Sequence, residues 1–392
     1  MGDKELPYHK MRSKITIICL AILIIASTVS YIPDIFADAA LYGRLSIVIM
    51  LSVVTLLAFT KNFKELVRNS FFNKLLFPLM IFTLLITTFY AIGFSRVTAT
   101  DIMQIGIIYV SMWIGHELVI SQKTITALVI MYAILAIYLC YTSASTFLGV
   151  LSMDENLYLI EAKNQIGVIA AYAAMYMVYI AQTTENKKLS ILTYGICIIL
   201  IALMLIIRCR TALLAFIIGA GYIVFKVSDT KRLFILFFVG FFVVLIFSEQ
   251  IFSTLQDAFI GDRNVGNLDE LSSNRMERNE QGLLYLQNNL FIGEMQHHSG
   301  VAIIHNYVIN RLVRYGIWGL PLIFIYFVIG IRVIKQLLLP TKLTFADIGY
   351  VGLIIPLFCS LLEPDAPFGP GTVQAFAYIM LGYSIKNSMN KL

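Results

Sequence analysis

Long apolar runs recur along nearly the whole of this 392-residue chain, and they constrain its fold more than any other feature. At about 16–22 residues, most are long enough for a helix rising about 1.5 Å per residue to cross about 30 Å of hydrocarbon. Backbone groups in lipid must bond within their own segment, so the runs are predicted to be helices. The alternating ten-residue segments of a membrane β-barrel do not occur. The twelve predicted spans are 15–32, 45–60, 74–93, 101–119, 124–149, 165–183, 190–207, 211–226, 232–249, 316–337, 345–362 and 370–386.

The composition supports a membrane protein. Hydrophobic residues make up 59% of the chain and charged residues 13%, whereas a soluble domain carries about 25% charged residues. The chain is therefore predicted to be an all-α, polytopic integral membrane protein with one membrane domain over 1–392 and no appended soluble domain. Basic residues precede 15–32 but no small-residue cleavage site follows, which favours a retained signal anchor. One long hydrophilic loop, 250–315, is predicted to contain short helices.

Basic residues are unevenly distributed between the two predicted sides of the membrane. With the N-terminus inside, 19 of the 29 Lys and Arg residues lie in cytoplasmic segments, which predicts that both termini are cytoplasmic. Fifteen of those 19 are lysine, whereas nine of the ten outward residues are arginine. Arginine holds a carboxylate or phosphate through two hydrogen bonds, so an anion is predicted to bind at the outer face. The alternative is that the arginines reach lipid headgroups.

Two of the outward arginines, Arg208 and Arg210, lie in the short turn between 190–207 and 211–226. Charged side chains at the membrane edge are costly without a partner, and the diphosphate of a lipid carrier would lie at this depth. A purely topological role is the alternative, but positive charge is disfavoured on the outer side. The pattern favours anion binding, with Arg210 ahead of Arg208.

The segment SSNRMERNEQGLLYL (272–286) is predicted to form a helix that begins at a serine cap. Arg275 and Arg278 are three residues apart and would share one face of that helix. Glu277 and Glu280 could pair with them and hold the guanidinium groups in place. An ordinary solvated helix with salt bridges explains the spacing equally well.

His305 and Asn306 directly precede a second predicted helix of the outer loop, 306–315, which leads into the span at 316–337. Imidazole can accept a proton near neutral pH, so His305 is a candidate general base for a sugar hydroxyl. Asn306 could orient it or bind the sugar. His297 and His298 lie nearby and could instead suggest a metal, but this spacing without a cysteine or a clear carboxylate ligand is a weak zinc pattern.

Lys163 and Asn164 lie in the outer loop 153–167, where the span at 165–183 begins. Lys163 is the single outward lysine. It could contact a phosphate or sugar, or it could anchor the helix at the membrane interface, and both interpretations stay open.

In order and spacing, these features resemble the O-antigen ligase and polymerase superfamily of bacterial envelope glycosyltransferases. The resemblance covers about 160–325, and the N-terminal half agrees only in its number of spans. The matching motifs are Arg210-Thr211 at an outer turn, Arg275 followed by Glu280-Gln281-Gly282-Leu283, His305-Asn306 at the end of the loop, and Gly316-x-x-Gly319-Leu320 at the start of the next span.

The resemblance implies a GT-C-type inverting glycosyltransferase that needs no metal or other cofactor and acts at the periplasmic face of the bacterial inner membrane. The donor would be a glycan on undecaprenyl diphosphate. Arg210 and Arg275 would hold the diphosphate leaving group, and His305 would act as the base or position the acceptor hydroxyl. The further substrate contacts suggested by the motif or by the local sequence are Arg208, Arg278, Lys163, Asn164, Asn306 and Glu280.

The acceptor separates two enzymes of this superfamily. A polymerase adds the glycan to another lipid-linked repeat unit, with a possible chain-length regulator as partner, whereas a ligase transfers it to the lipid A core. The sequence around Lys163-Asn164-x-x-Gly167 and His305-Asn306 favours the polymerase slightly. A transporter of lipid-linked glycans is the alternative of another class, but such proteins usually have repeated halves and ionisable or broken helices in mid-membrane.

Overall fold

A computed structural model of the protein describes residues 17–18, 20–25, 108, 111–116, 118, 120–150, 157–207, 209–228, 249, 275–295, 304–339, 343–363 and 375–389. Within these ranges every regular element is a helix. Five helices are long and apolar enough to cross a membrane. The protein is therefore an all-α membrane protein, as predicted. The spans predicted at 45–60 and 74–93 lie outside the described residues. So do most residues of 15–32 and 101–119, and all but one residue of 232–249.

Four consecutive helices form the first described block: α1 (Gln122–Val150), α2 (Leu157–Thr183), α3 (Lys187–Ile206) and α4 (Arg210–Val227). They confirm the four spans predicted between residues 124 and 226. The start of α2 differs from the prediction, because the helix begins at Leu157 and includes most of the segment predicted to be a loop. Lys163 and Asn164 therefore belong to a helix.

The second block begins with the two helices of the outer loop, α5 (Arg275–Asn289) and α6 (Tyr307–Tyr315). As predicted, α6 leads into a span, through a 3₁₀ turn at Gly316–Gly319 and then α7 (Leu320–Leu338). The chain continues through a 3₁₀ turn at Phe345–Asp347 into α8 (Ile348–Gly352), α9 (Ile354–Cys359) and α10 (Ala375–Met389). The helix start predicted at Ser272 or Ser273 lies outside the described residues.

Helix α2 is the centre of the described bundle. Of its membrane-spanning part, 94% is buried, compared with 28% for α3 and 33% for α4. An apolar helix buried on all sides needs neighbours all round, and α2 packs against α1, α3, α4 and α8. Helices α3 and α4 instead expose large apolar side chains such as Ile191, Ile198, Ile217 and Phe225. Among the described residues these side chains form an exposed apolar surface, which is what helices in contact with lipid require.

The predicted span 345–362 is kinked between α8 and α9. Pro356 has no N–H to donate to the carbonyl of Gly352, four residues earlier, and its ring crowds that carbonyl. Leu353 keeps helical dihedral angles (φ −72°, ψ −7°). The break is therefore explained by Pro356, and the backbone at Leu353 stays helical rather than unwound.

The bundle has two chemically different ends. At one end, which we call the lysine end, Lys226 Nζ donates to Leu339 O (2.5 Å) and Lys386 Nζ donates to Leu118 O (3.2 Å). Helices α2 and α3 join at this end through the exposed loop around Glu185. The opposite end, the arginine end, contains the start of α4 with Arg210, the start of α5 and the chain that follows α9.

Candidate functional site

A single carboxylate, that of Glu363, connects three helices and the segment that leads into a fourth, α6, at the arginine end. It follows α9, and only 9% of the residue is exposed. Its Oε1 lies 2.7 Å from Arg275 Nη2 and accepts a hydrogen bond from Thr211 Oγ1 at 3.4 Å. Its Oε2 accepts from Asn164 Nδ2 at 3.4 Å and lies 3.6 Å from His305 Nδ1. Glu363 is therefore the common partner of residues more than 100 positions apart in the sequence.

Arg275, the first residue of α5, is held by three partners. Besides its ion pair with Glu363, its Nη1 donates to Leu362 O (2.7 Å) and to Thr211 Oγ1 (3.2 Å). The side chain is only 15% exposed. A guanidinium bound by a carboxylate, a carbonyl and a hydroxyl has a fixed position, and its charge is balanced by Glu363.

His305 lies between Arg278 and Glu363. Arg278 Nη1 is 3.1 Å from His305 Nε2, and arginine can only donate a hydrogen bond. Nε2 must therefore be the acceptor, which places the ring proton of neutral His305 on Nδ1, facing the carboxylate of Glu363. The 3.6 Å separation of Nδ1 and Oε2 is longer than a hydrogen bond, so Glu363 orients this nitrogen electrostatically.

The backbone around His305 is fixed to the segment that carries Glu363. Tyr307 N donates to Ser360 O (2.9 Å) and Asn306 Nδ2 donates to Leu361 O (3.3 Å). Asn306 Oδ1 also accepts from Ile309 N at 3.1 Å and so caps α6. Both ends of the Asn306 side chain are used in the fold. The side chain therefore has a structural role, which fixes the position of the preceding histidine, and its predicted role in binding the sugar stays a prediction.

Helix α5 reaches the site through its buried face. Gly282 on that face lies against the residue before His305: a Cβ at position 282 would be 2.6 Å from Ile304 Cδ1. Leu286, one turn further on, packs with Ile304 and Val313. Arg275 and Arg278 lie two turns and one turn before Gly282, respectively, so the packing that buries Gly282 also turns both arginines towards Glu363 and His305. Their predicted common face is confirmed.

A second close contact brings α2 and α4 together beside the site. A Cβ at Gly167 would lie 2.6 Å from Cys209 Sγ, the residue before α4. Asn164 precedes Gly167 by one turn, and Thr211 follows Cys209 in the first turn of α4. The glycine therefore allows these two polar side chains to reach the same carboxylate.

The structure brings together four of the predicted site residues: Asn164, Arg275, Arg278 and His305. Arg210 is the neighbour of Thr211 in the chain and is half-buried at the first position of α4. Arg208 lies outside the described residues. Lys163 lies in α2, but its side chain is not among those the structure describes.

Of the acids predicted to pair with Arg275 and Arg278, Glu280 pairs with neither within the described part of the chain. Arg275 pairs with Glu363, and Arg278 donates to His305. Glu280 is exposed on the opposite side of α5 from Arg278 and, within the described part of the chain, has no hydrogen bond or ion pair with the site. Glu277 accepts a hydrogen bond from Gln281 at 3.1 Å. Glu280 does not face the site, because the arginines point to the buried side of the helix.

Glu363 and Thr211 are the site residues that the sequence interpretation missed. One available signal was that Glu363 directly follows an apolar span and precedes a proline, so it is an acid fixed at a membrane edge. The acids considered as partners at the outer side were those near Arg275 and Arg278 in the sequence, Glu277 and Glu280, and Glu363 lies far from them in the chain. Across the described residues, no three His, Cys, Asp or Glu side chains come together as possible metal ligands.

Comparison of the sequence with models of known protein families gives no match, and comparison with curated proteins gives none either.

Proposed function

We propose that the protein is a periplasmic-face glycosyltransferase that moves a glycan from undecaprenyl diphosphate to a sugar hydroxyl, as an O-antigen or capsular polysaccharide polymerase. One observation carries the proposal. His305 has an accepting Nε2, a buried carboxylate behind its other nitrogen, and an arginine 3.1 Å away. A base next to a cation is what transfer of a sugar from a diphosphate requires.

The reaction needs one proton acceptor and stabilisation of one leaving group. The oxygen of the acceptor hydroxyl bonds to the anomeric carbon, and its proton passes to His305 Nε2. The bond from the anomeric carbon to the phosphate oxygen breaks, and its electron pair leaves with undecaprenyl diphosphate. Attack from the face opposite the leaving group inverts the anomeric configuration. Glu363 stabilises the imidazolium that forms and keeps the ring oriented.

The arginines divide the work of holding the diphosphate. Arg275 is neutralised by Glu363, so it supplies a fixed edge of the site and little free charge. Arg278 has no carboxylate partner among the described residues and carries a full positive charge into the site. We assign to Arg278, together with Arg210 at the start of α4, the direct contacts with the diphosphate. Removing one such donor typically lowers kcat by about 10²–10³-fold.

The two ends of the bundle support the proposed orientation. Lys226 and Lys386 lie at the lysine end, which we place in the cytoplasm of the bacterial inner membrane. The arginine end then faces the periplasm, where the lipid-linked glycan is presented. We propose twelve spans in a GT-C-like arrangement, with both termini in the cytoplasm.

A transport function is less well supported by the described helices. The irregular span around Gly352 is explained by Pro356, and the residues at the kink are apolar and not ionisable. The charged residues that meet in the site lie at one end of the bundle rather than in mid-membrane. A coupling-ion or substrate path would need such groups near the membrane centre.

The test is surface-polysaccharide assembly in cells and polymer formation in purified membranes. His305→Ala and Arg278→Ala should each lower activity by at least about 10²-fold while the protein remains in the membrane. Arg314→Ala is the matched control, because Arg314 lies at the same end but stacks on Tyr315 at 5.8 Å. Full activity of both site variants would refute the proposal.

The null strain separates the polymerase from the ligase. A polymerase null should leave a single repeat unit on the lipid A core. Bare core together with long lipid-linked chains would instead identify the ligase. Both outcomes use the same site, so this experiment tests the acceptor and not the catalytic residues.

A further inference from the structure

We propose that Arg278 is a movable cover on the proposed base: it occupies His305 Nε2 in the empty site and leaves it when the diphosphate of the donor binds. This inference rests on the proposed function and adds an order of events to it. The base would become available to the acceptor only after the donor has bound. An acceptor hydroxyl or a water molecule could therefore not be deprotonated by His305 in a site that holds no donor.

Arg278 Nη1 occupies the reactive nitrogen of the proposed base. It lies 3.1 Å from His305 Nε2, the nitrogen that would have to take the acceptor proton. Nδ1 cannot take it, because the tautomer set by Arg278 and Glu363 places the ring proton there. While the Arg278 hydrogen bond exists, the only lone pair of the imidazole is in use. The described arrangement is therefore that of a blocked base.

The two arginines of α5 differ in how many partners hold them in place. Arg275 is held by Glu363, Thr211 and Leu362 O, and its movement would break an ion pair and two hydrogen bonds. Arg278 has one hydrogen bond within the described part of the chain, and its acceptor is a neutral ring. Of five N–H donors it uses one. Arg278 is therefore the arginine that can move at low cost.

An entering diphosphate would compete with His305 for the hydrogen bonds of Arg278. A diphosphate offers several charged oxygens, and a hydrogen bond from a guanidinium to an anion is about twice as strong as one to a neutral acceptor. The anion would also have an opposite charge to meet, since no described carboxylate pairs with Arg278. An entering diphosphate should draw the side chain away from Nε2. The same movement then grips the leaving group and frees the base.

The experiment measures acylation of His305 by diethyl pyrocarbonate in the full-length protein, purified in nanodiscs, with farnesyl diphosphate as the probe. This reagent attacks the unprotonated imidazole nitrogen, and mass spectrometry of the peptide that contains His305 gives the rate. Farnesyl diphosphate supplies a prenyl diphosphate without a sugar, so the acceptor side stays open. His116, which is half-buried in a different part of the chain, gives an internal reference rate.

In the wild type, acylation of His305 should be slow and should rise about tenfold when farnesyl diphosphate is added, the factor expected for releasing one hydrogen bond from a charged donor. In Arg278→Ala, acylation should be fast with and without the probe. Arg314→Ala should behave as the wild type does. Equal rates of His305 acylation in the wild type and Arg278→Ala without the probe would refute the proposal that Arg278 covers His305.

The probe also separates failure of this inference from failure of the proposed function. Binding of farnesyl diphosphate is measured in parallel by thermal shift of the same samples. If the probe binds the wild type but leaves the acylation of His305 unchanged or slower, the movable cover is wrong and the donor class stands. If the probe does not bind at all, the diphosphate donor falls, and the inference falls with it.

Discussion

Removal of the Glu363 carboxylate tests the centre of the site. Glu363→Ala leaves Arg275 without its counterion at a position where the side chain is 15% exposed, although its bonds to Thr211 and Leu362 O remain. Removing one partner of a buried ion pair typically lowers the free energy of unfolding by about 3–5 kcal/mol. Because Arg275 keeps its hydrogen bonds to Thr211 and Leu362 O, we expect a loss of about 3 kcal/mol for Glu363→Ala. Glu363→Gln keeps an acceptor for Arg275 and should cost about 1–2 kcal/mol.

Activity should separate the orienting role of Glu363 from its structural one. Both variants remove the charge 3.6 Å from His305 Nδ1, so kcat should fall by about 10²-fold in each, with little change in KM for the donor. The assays are polymer formation with a defined lipid-linked donor and thermal unfolding in nanodiscs. A Glu363→Gln protein that unfolds near the wild-type temperature and keeps full kcat would refute the reasoning. Glu185→Gln, an exposed acid at the lysine end, is the matched control.

Three further perturbations test the positions and chemistry around the site. Asn306→Ala removes the cap of α6 and the hydrogen bond to Leu361 O. The free energy of unfolding should fall by about 1–2 kcal/mol, and kcat should fall with it. An Asn306→Asp protein that is no more stable than Asn306→Ala would contradict the capping role. Gly316→Ala should destabilise the protein, because φ is +60° there and a Cβ would lie 2.5 Å from Leu290 O. The control is Gly221→Ala, at a helical position with open space around it, which should be neutral or stabilising by up to about 1 kcal/mol. Equal Tm values for the two variants would contradict this prediction. Treatment of purified membranes with EDTA should leave polymer formation unchanged, and strong inhibition reversed by a divalent cation would show that a metal takes part.

The sequence was most informative where one physical rule dominates. The spans now seen as α1, α3 and α4 were predicted to within a few residues, because apolar length and the need to satisfy backbone groups in lipid leave few alternatives. The limit of α2 was predicted less well. Its first turns, from Leu157, include polar residues that hydropathy assigns to a loop, yet helical hydrogen bonding continues through them.

The candidate site was predictable in part for a similar reason. Arginine on the outer side is unusual enough to mark Arg275 and Arg278 from the sequence, and their spacing of three gives them one face of a helix. Their partners were not predictable. Glu277 and Glu280 are close in sequence, but the arginines turn inward to acceptors supplied by residues up to 88 positions away, Glu363 and His305.

By itself, the sequence determined that this chain is a helical membrane protein, and it predicted that lysine and arginine are separated between its two sides, since both follow from local composition. Only the tertiary structure decided that Arg275 is tied to Glu363 while Arg278 rests on His305. Close packing at Gly167 and Gly282 brings these distant residues together, and such contacts depend on how helix surfaces fit. The two arginines of α5, alike in sequence, thereby differ in their partners: a carboxylate holds Arg275, and a histidine ring accepts from Arg278.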